Sequence, residues 1–209
     1  DDVRSDLLVV IDNAIKAVEE NVSSGKLMKV RWNACYAAGS IFRNDEIKRI
    51  NVEWHRRLLN AVIPLIADFP NFKVRIGATT AINGISDRSI IGSEYGRLCR
   101  TLMTALDTAQ NIEIEDEIQH KTDLIDQICL ALCHVICLGD KRDIQSLDGL
   151  AANHSESMTI SFQNCAERIS PEKATVIIEA QTHAESVLNG AGNLILQVLK
   201  SSPAAAGIY

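Results

Sequence analysis

The sequence predicts an all-α fold, a solenoid of stacked helical pairs closed by a long C-terminal helical pair. Two observations carry that expectation. Residues 27–41 (LMKVRWNACYAAGSI) recur at 71–85 (NFKVRIGATTAINGI), so Lys29, Val30, Arg31, Ala34, Ala37 and Ile41 return as Lys73, Val74, Arg75, Ala78, Ala81 and Ile85 after 44 residues. A period in the forties is what stacked helical pairs produce, because one pair cannot bury its own apolar face. Apolar residues also recur at three- and four-residue spacing along nearly the whole chain.

The first helix follows from Leu8, Ile11, Ile15, Val18 and Val22 and stops at Ser23-Ser24-Gly25, a turn signal. In the second, Val30, Ala34, Ala37 and Ile41 form the expected buried stripe, small enough to lie close to a neighbour, and the pattern fades by Asn44. A polar link reaches Asn51. The third helix, about 52–68, carries Leu58, Val62, Leu65 and Phe69, and Pro64 removes a hydrogen bond inside it and kinks it. A turn at 68–71 leads into the fourth helix, 72–86. Residues 94–109 repeat the third helix through Leu98, Leu102, Ala105 and Leu106. The helix that ends near Gly139 is apolar nearly all round from 124 to 138, which implies neighbours on several sides. Helical pairs are therefore expected at about 1–44, 52–86 and 94–139, making a region 1–140. Residues 141–209 supply the closing pair. Its two long stripes run from Ile144 to Ile169 and from Ile177 to Val198, with Pro171 at N1 of the second helix behind Ser170 and a bend at 189–192.

Composition limits the function. The chain of 209 residues is 46% hydrophobic, enough for a sizeable core. A net charge of −6 argues against a dominant affinity for phosphate backbones, and 4% aromatic residues are too few for a base-stacking platform. The longest apolar run, 128–138, is interrupted by His134 and is too short for a bilayer. No secretory signal opens the chain, and a start at Asp1 without Met suggests part of something longer.

Cys129, Cys133 and Cys137 recur every fourth residue on one helical face, a poor geometry for pairing, while Cys35, Cys99 and Cys165 stand singly. Six reduced core thiols in the cytoplasm or nucleus are the expectation. The sequons at Asn21 and Asn153 then carry no weight.

Catalytic patterns fail individually. Glu117-Ile118-Gln119-His120 resembles half of a di-iron motif, but no second Glu-x-x-His occurs. Cys129, Cys133 and His134 lack a fourth zinc ligand, and His134 points about 100° away from Cys133 on a helix. Gly190-Ala191-Gly192 lacks the third glycine of a dinucleotide loop, and neither a nucleophile elbow nor a phosphate loop is present. No enzyme, metal or cofactor is expected.

The segment Val62-Ile63-Pro64-Leu65-Ile66, a turn at Asp68, then Val74-Arg75, Ala78 and Ala81 resembles the HEAT-repeat (armadillo-like) family. That family places a proline in its first helix and a Val-Arg pair early in its second. The first pair has Val30-Arg31 without the proline, and the third lacks the Val-Arg pair altogether. Residues 29–37 and 121–134 are similar, more narrowly, to the C-terminal region of one HEAT repeat-containing protein. The resemblance implies a right-handed solenoid that binds other proteins, with its second helices on the concave side. On that expectation Lys29, Asn33, Tyr36, Ser40 and Arg43, with Lys73, Gly77, Thr80, Gly84 and Asp87, are candidate contact residues. Arg31 and Arg75 are expected to lock adjacent repeats, since Arg suits interface ion pairs, and Lys29 and Lys73 to stay solvated. A non-enzymatic scaffold is the leading reading. A cargo-carrying or nucleic-acid-binding solenoid is the alternative, and a helical-bundle metalloenzyme the third.

Overall fold

A computed structural model describes residues 2–111 and 118–206 and contains helices and no strands among them. None of its helices is long and apolar enough to cross a membrane. The chain divides into two compact units, Asp1–Gly92 and Ser93–Tyr209. The sequence expectation of 1–140 against 141–209 is thus corrected: the third helical pair clusters with the C-terminal helices, whose apolar faces it shares.

In the first unit α1 (Asp2–Ser24) and α2 (Met28–Phe42) pack as a pair across the turn 25–27. The polar link to Asn51 forms a short helix, α3 (Asp45–Ile50). Asn44 caps it by accepting from the Ile47 amide, and acidic residues open it while basic residues close it, as the helix dipole favours. The third expected helix is broken rather than kinked. α4 (Val52–Val62) stops at Ile63, and Pro64 becomes N1 of α5 (Pro64–Ala67), where its missing N–H costs nothing. α6 (Phe72–Ile82) and the single turn α7 (Arg88–Ile91) complete the unit, capped by Asn71 and Asp87.

Pairs stack on pairs inside this unit. α4 lies on α1, with Trp54 Nε1 donating to Asp12 at 2.9 Å and Arg57 Nε to Glu19 at 3.0 Å. α6 lies along α2 in the most extensive contact of the unit. Small residues make that contact possible. A Cβ on Gly77 would stand 2.7 Å from Trp32 Cδ1, one on Gly39 3.0 Å from Ala81 Cα, and one on Gly84 2.3 Å from the Gly39 carbonyl oxygen. The buried stripe of α2 is Ala34, Cys35, Ala38, Gly39 and Phe42. The expected stripe of Val30, Ala34, Ala37 and Ile41 is therefore rotated: Val30 is 40% exposed, and Ala37 and Ile41 are half-buried.

Beside that seam, Lys48 of α3 bridges Asp45 and Asp87, tying α3 to the segment that enters α7. Burial pushes the Asp87 carboxyl up, but the Lys48 ammonium and two bonds from Ser89 outweigh it and hold it at about 2.

The second unit consists of α8 (Tyr95–Gln110), α9 (Ile118–Leu138), α10 (Lys141–Ala151), α11 (Ser155–Arg168), α12 (Pro171–Leu188) and α13 (Leu194–Lys200). α9 meets α8, α11 and α12, which explains why its apolar residues wrap nearly all round. Its C-terminal carbonyls are capped from other helices: Tyr95 Oη donates to the Val135 carbonyl at 3.1 Å, and His183 Nε2 to that of Gly139 at 2.7 Å. The expected two closing helices are four. A turn at 152–154 divides the first, and Asn189 and Gly190 at positive φ end α12, after which Asn193 caps α13.

All six cysteines are free, and five are buried, with Cys137 half-buried. Burial pushes the Cys35 thiol up to about 12 and that of Cys137, beside Glu179, to about 11. Cys129 and Cys133 are also held well above the ordinary thiol range by burial. Thiolate is the reactive species. Native protein should therefore react slowly with a thiol reagent, while denaturation without reductant should reveal six thiols. A smaller count would show that some are oxidised.

Candidate functional site

The face of α2 opposite its buried stripe presents Lys29, Asn33, Tyr36, Ser40 and Arg43, all exposed. Lys29, Tyr36 and Arg43 recur every seventh residue and form a single row, each about 10 Å along the helix from the next. Tyr36 is 41% exposed, and its ring meets Trp32 edge-on with centroids 5.6 Å apart. Its backbone carbonyl accepts from Ser40 Oγ at 3.2 Å, which occupies the hydroxyl of the following turn. An aromatic side chain half out of solvent, braced by a second ring and flanked by two cations, is an arrangement that contributes strongly to protein interfaces.

The expected continuation on α6 does not form. Lys73 is exposed, but Gly77 and Gly84 are buried against α2, Thr80 is half-buried, and Asp87 is engaged by Lys48 and Ser89. The close approach of α6 to α2 that the glycines permit also consumes the surface they were expected to offer. The structure thus brings Lys29, Asn33, Tyr36 and Arg43 together on one helix, with Lys73 on another.

Arg75 is 4% exposed, and its Nε donates to the Ile66 carbonyl at 2.9 Å. That bond lies inside the second pair. Side chains in the first turns of a helix lean toward its N-terminus, and here Arg75 reaches the Ile66 carbonyl near the end of α5. Burial lowers the pKa of the Arg75 guanidinium. Arg31 does both jobs: its Nη2 donates to the Ser23 carbonyl of its own pair at 2.9 Å, and its guanidinium lies 5.0 Å above the Phe69 ring of the next. Its Nε is buried without a hydrogen-bond partner.

Sequence reasoning missed a polar cleft in the second unit, of about 530 Å³, lined by Asp107, Gln110, His154, Ser157 and Ile160 among others. His154 Nδ1 donates to Asp107 at 2.5 Å, and Ser157 Oγ donates to the other oxygen of the same carboxylate. The residue types match a hydrolase triad, but the order is wrong. Asp107 itself accepts the hydrogen bond of the serine hydroxyl, so histidine does not stand as base on it. The set instead pins α8 to the start of α11, and Gln110 Nε2 extends it to Ser161 Oγ at 2.7 Å. Partners some 47–51 residues apart leave no local signal in a sequence.

Among the described residues no group of three or more His, Cys, Asp or Glu side chains is placed to hold a metal ion. Glu117, half of the Glu-x-x-His pattern, lies outside the described residues.

No family model matches the chain, and no solved structure does. An uncharacterized protein of Dictyostelium discoideum is 28% identical over 165 residues, a stretch covering 74% of this chain and 11% of that protein. The chain therefore spans only a small part of the relative's length.

Proposed function

We propose that this chain is a segment of a right-handed solenoid of HEAT-like helical pairs that acts as a non-enzymatic, intracellular protein-interaction scaffold in the cytoplasm or nucleus. The observation that carries the reading is the exposed row Lys29, Tyr36 and Arg43 on a helix whose opposite side is buried. Stacking of α4 on α1 and of α6 along α2 supports the repeat architecture, as does the similarity of residues 29–37 and 121–134 to the C-terminal region of HEAT repeat-containing protein six. Reduced, buried thiols suit the intracellular setting. The row is cationic and aromatic, so the partner surface is acidic with an apolar recess for the Tyr36 ring.

Tyr36→Ala with Arg43→Glu tests the reading by affinity capture and a circular dichroism melt. The double variant should melt like the parent, because both side chains are exposed, and should lose at least about tenfold in affinity for a captured partner, as removal of interface Tyr and Arg anchors does. Undiminished binding by the folded variant would move the contact surface elsewhere, to the segments 44–51 or 86–93.

A further inference from the structure

The second copy of the repeat shows what the first lacks. Val74, Gly77, Ala81 and Gly84 of the 71–85 copy are all buried, and the last three abut α2 directly. The corresponding positions of the 27–41 copy are Val30, Asn33, Ala37 and Ser40. There Val30, Asn33 and Ser40 are exposed and Ala37 is half-buried. α1 carries a matching strip. Leu7, Val10, Ala14 and Ala17 recur at helical spacing and are exposed, Leu7 by 57% and Val10 by 63%. They lie roughly half a revolution around the helix from Asp12 and Glu19, which bond Trp54 and Arg57 of α4.

We propose that this double strip on α1 and α2 is a stacking face that takes one further helical pair of the same kind, carried by the same polypeptide upstream of Asp1. The occupant is identified by continuity with the interface inside the first unit, where the equivalent side of the second pair is covered by a pair of this type. A second copy of the chain does not fit the role. The surface it would have to offer, Trp32, Cys35 and Gly39 of α2, is already closed by its own α6. The incoming helix must also differ from α2. Gly77 and Gly84 admit Trp32 and the Gly39 backbone, whereas Asn33 and Ser40 stand in their places here, so the partner helix presents smaller side chains or sits farther out. The relative in Dictyostelium extends far beyond the region it shares with this chain. The inference assigns Asn33 to stacking and leaves Lys29, Tyr36 and Arg43 to the outward row, so its failure and that of the scaffold reading are separable.

Hydrogen exchange tests it by comparing the 209-residue chain with the natural polypeptide extended upstream. Amides in 7–22 and 30–41 should exchange about tenfold or more slowly in the longer protein, as burial against a stacked neighbour requires. Val30→Glu with Ala37→Glu should leave the melt of the 209-residue chain unchanged and lower that of the longer protein. Equal exchange in the two proteins, or a reading frame with no helical pair upstream, overturns the proposal. So does a dimer of the 209-residue chain that the glutamate pair dissociates in sedimentation, which would make the occupant a second copy.

Discussion

Gly84→Ala is expected to destabilise the first unit by about 3 kcal/mol, the upper end of what over-packing costs. The added Cβ would lie 2.3 Å from the Gly39 carbonyl oxygen, a backbone atom that can move only if α2 and α6 separate. The same change at Gly96 or Gly149, where a Cβ meets nothing within 4 Å, should have the opposite sign. Both sit inside helices, and alanine there stabilises by about 0.5–1 kcal/mol. Denaturant unfolding of the three variants checks the contrast. A Gly84→Ala protein as stable as the parent would mean that the α2–α6 seam is looser than its geometry.

Arg75→Ala is the second large effect. The substitution leaves the Ile66 carbonyl without its buried donor and removes the guanidinium from the Phe72 ring, 6.0 Å away. Loss of such a charged hydrogen bond in the interior costs about 1.5–3 kcal/mol. Lys73→Ala, two residues earlier on the same helix, should stay within about 0.5 kcal/mol of the parent because Lys73 is exposed. Arg31→Ala should fall between them, since Arg31 is half-buried and bonds a carbonyl in a more open turn. A larger loss at Lys73 than at Arg75 would reverse the assignment of the two faces.

The contrast between these neighbouring residues shows how far a sequence reaches. Periodicity and the duplicated 15-residue stretch were enough to place α1, α2, α6, α8 and α9 and the stretch that Pro64 divides into α4 and α5, because apolar spacing and stop signals are local. The duplication also singled out Arg31 and Arg75, and the solvated side of α2 could be read by elimination from its apolar stripe. The partners of the arginines could not. A carbonyl at Ile66 carries no side-chain signature, and only the break at Pro64 and the turn before α6 bring it under the guanidinium.

Two further features were decided by the tertiary structure alone. Repeat similarity implied equal burial for Val30 and Val74, yet one is 40% exposed and the other fully buried. The residues are the same; what differs is whether another helix lies alongside, which is a property of the stack and not of the residue. The lower half of the expected contact face was lost for a related reason. Glycine on a helix reads as a gap in an exposed strip, but it also permits the closest approach of two backbones, and at Gly77 and Gly84 the second use prevailed. The sequence by itself therefore determined the all-helical class, most of the longer helices and the reduced state expected of the thiols. The division at Gly92, the splitting of the last two helices and the real extent of the exposed row were decided by packing between residues far apart in the chain, where burial is shared and no local pattern records it.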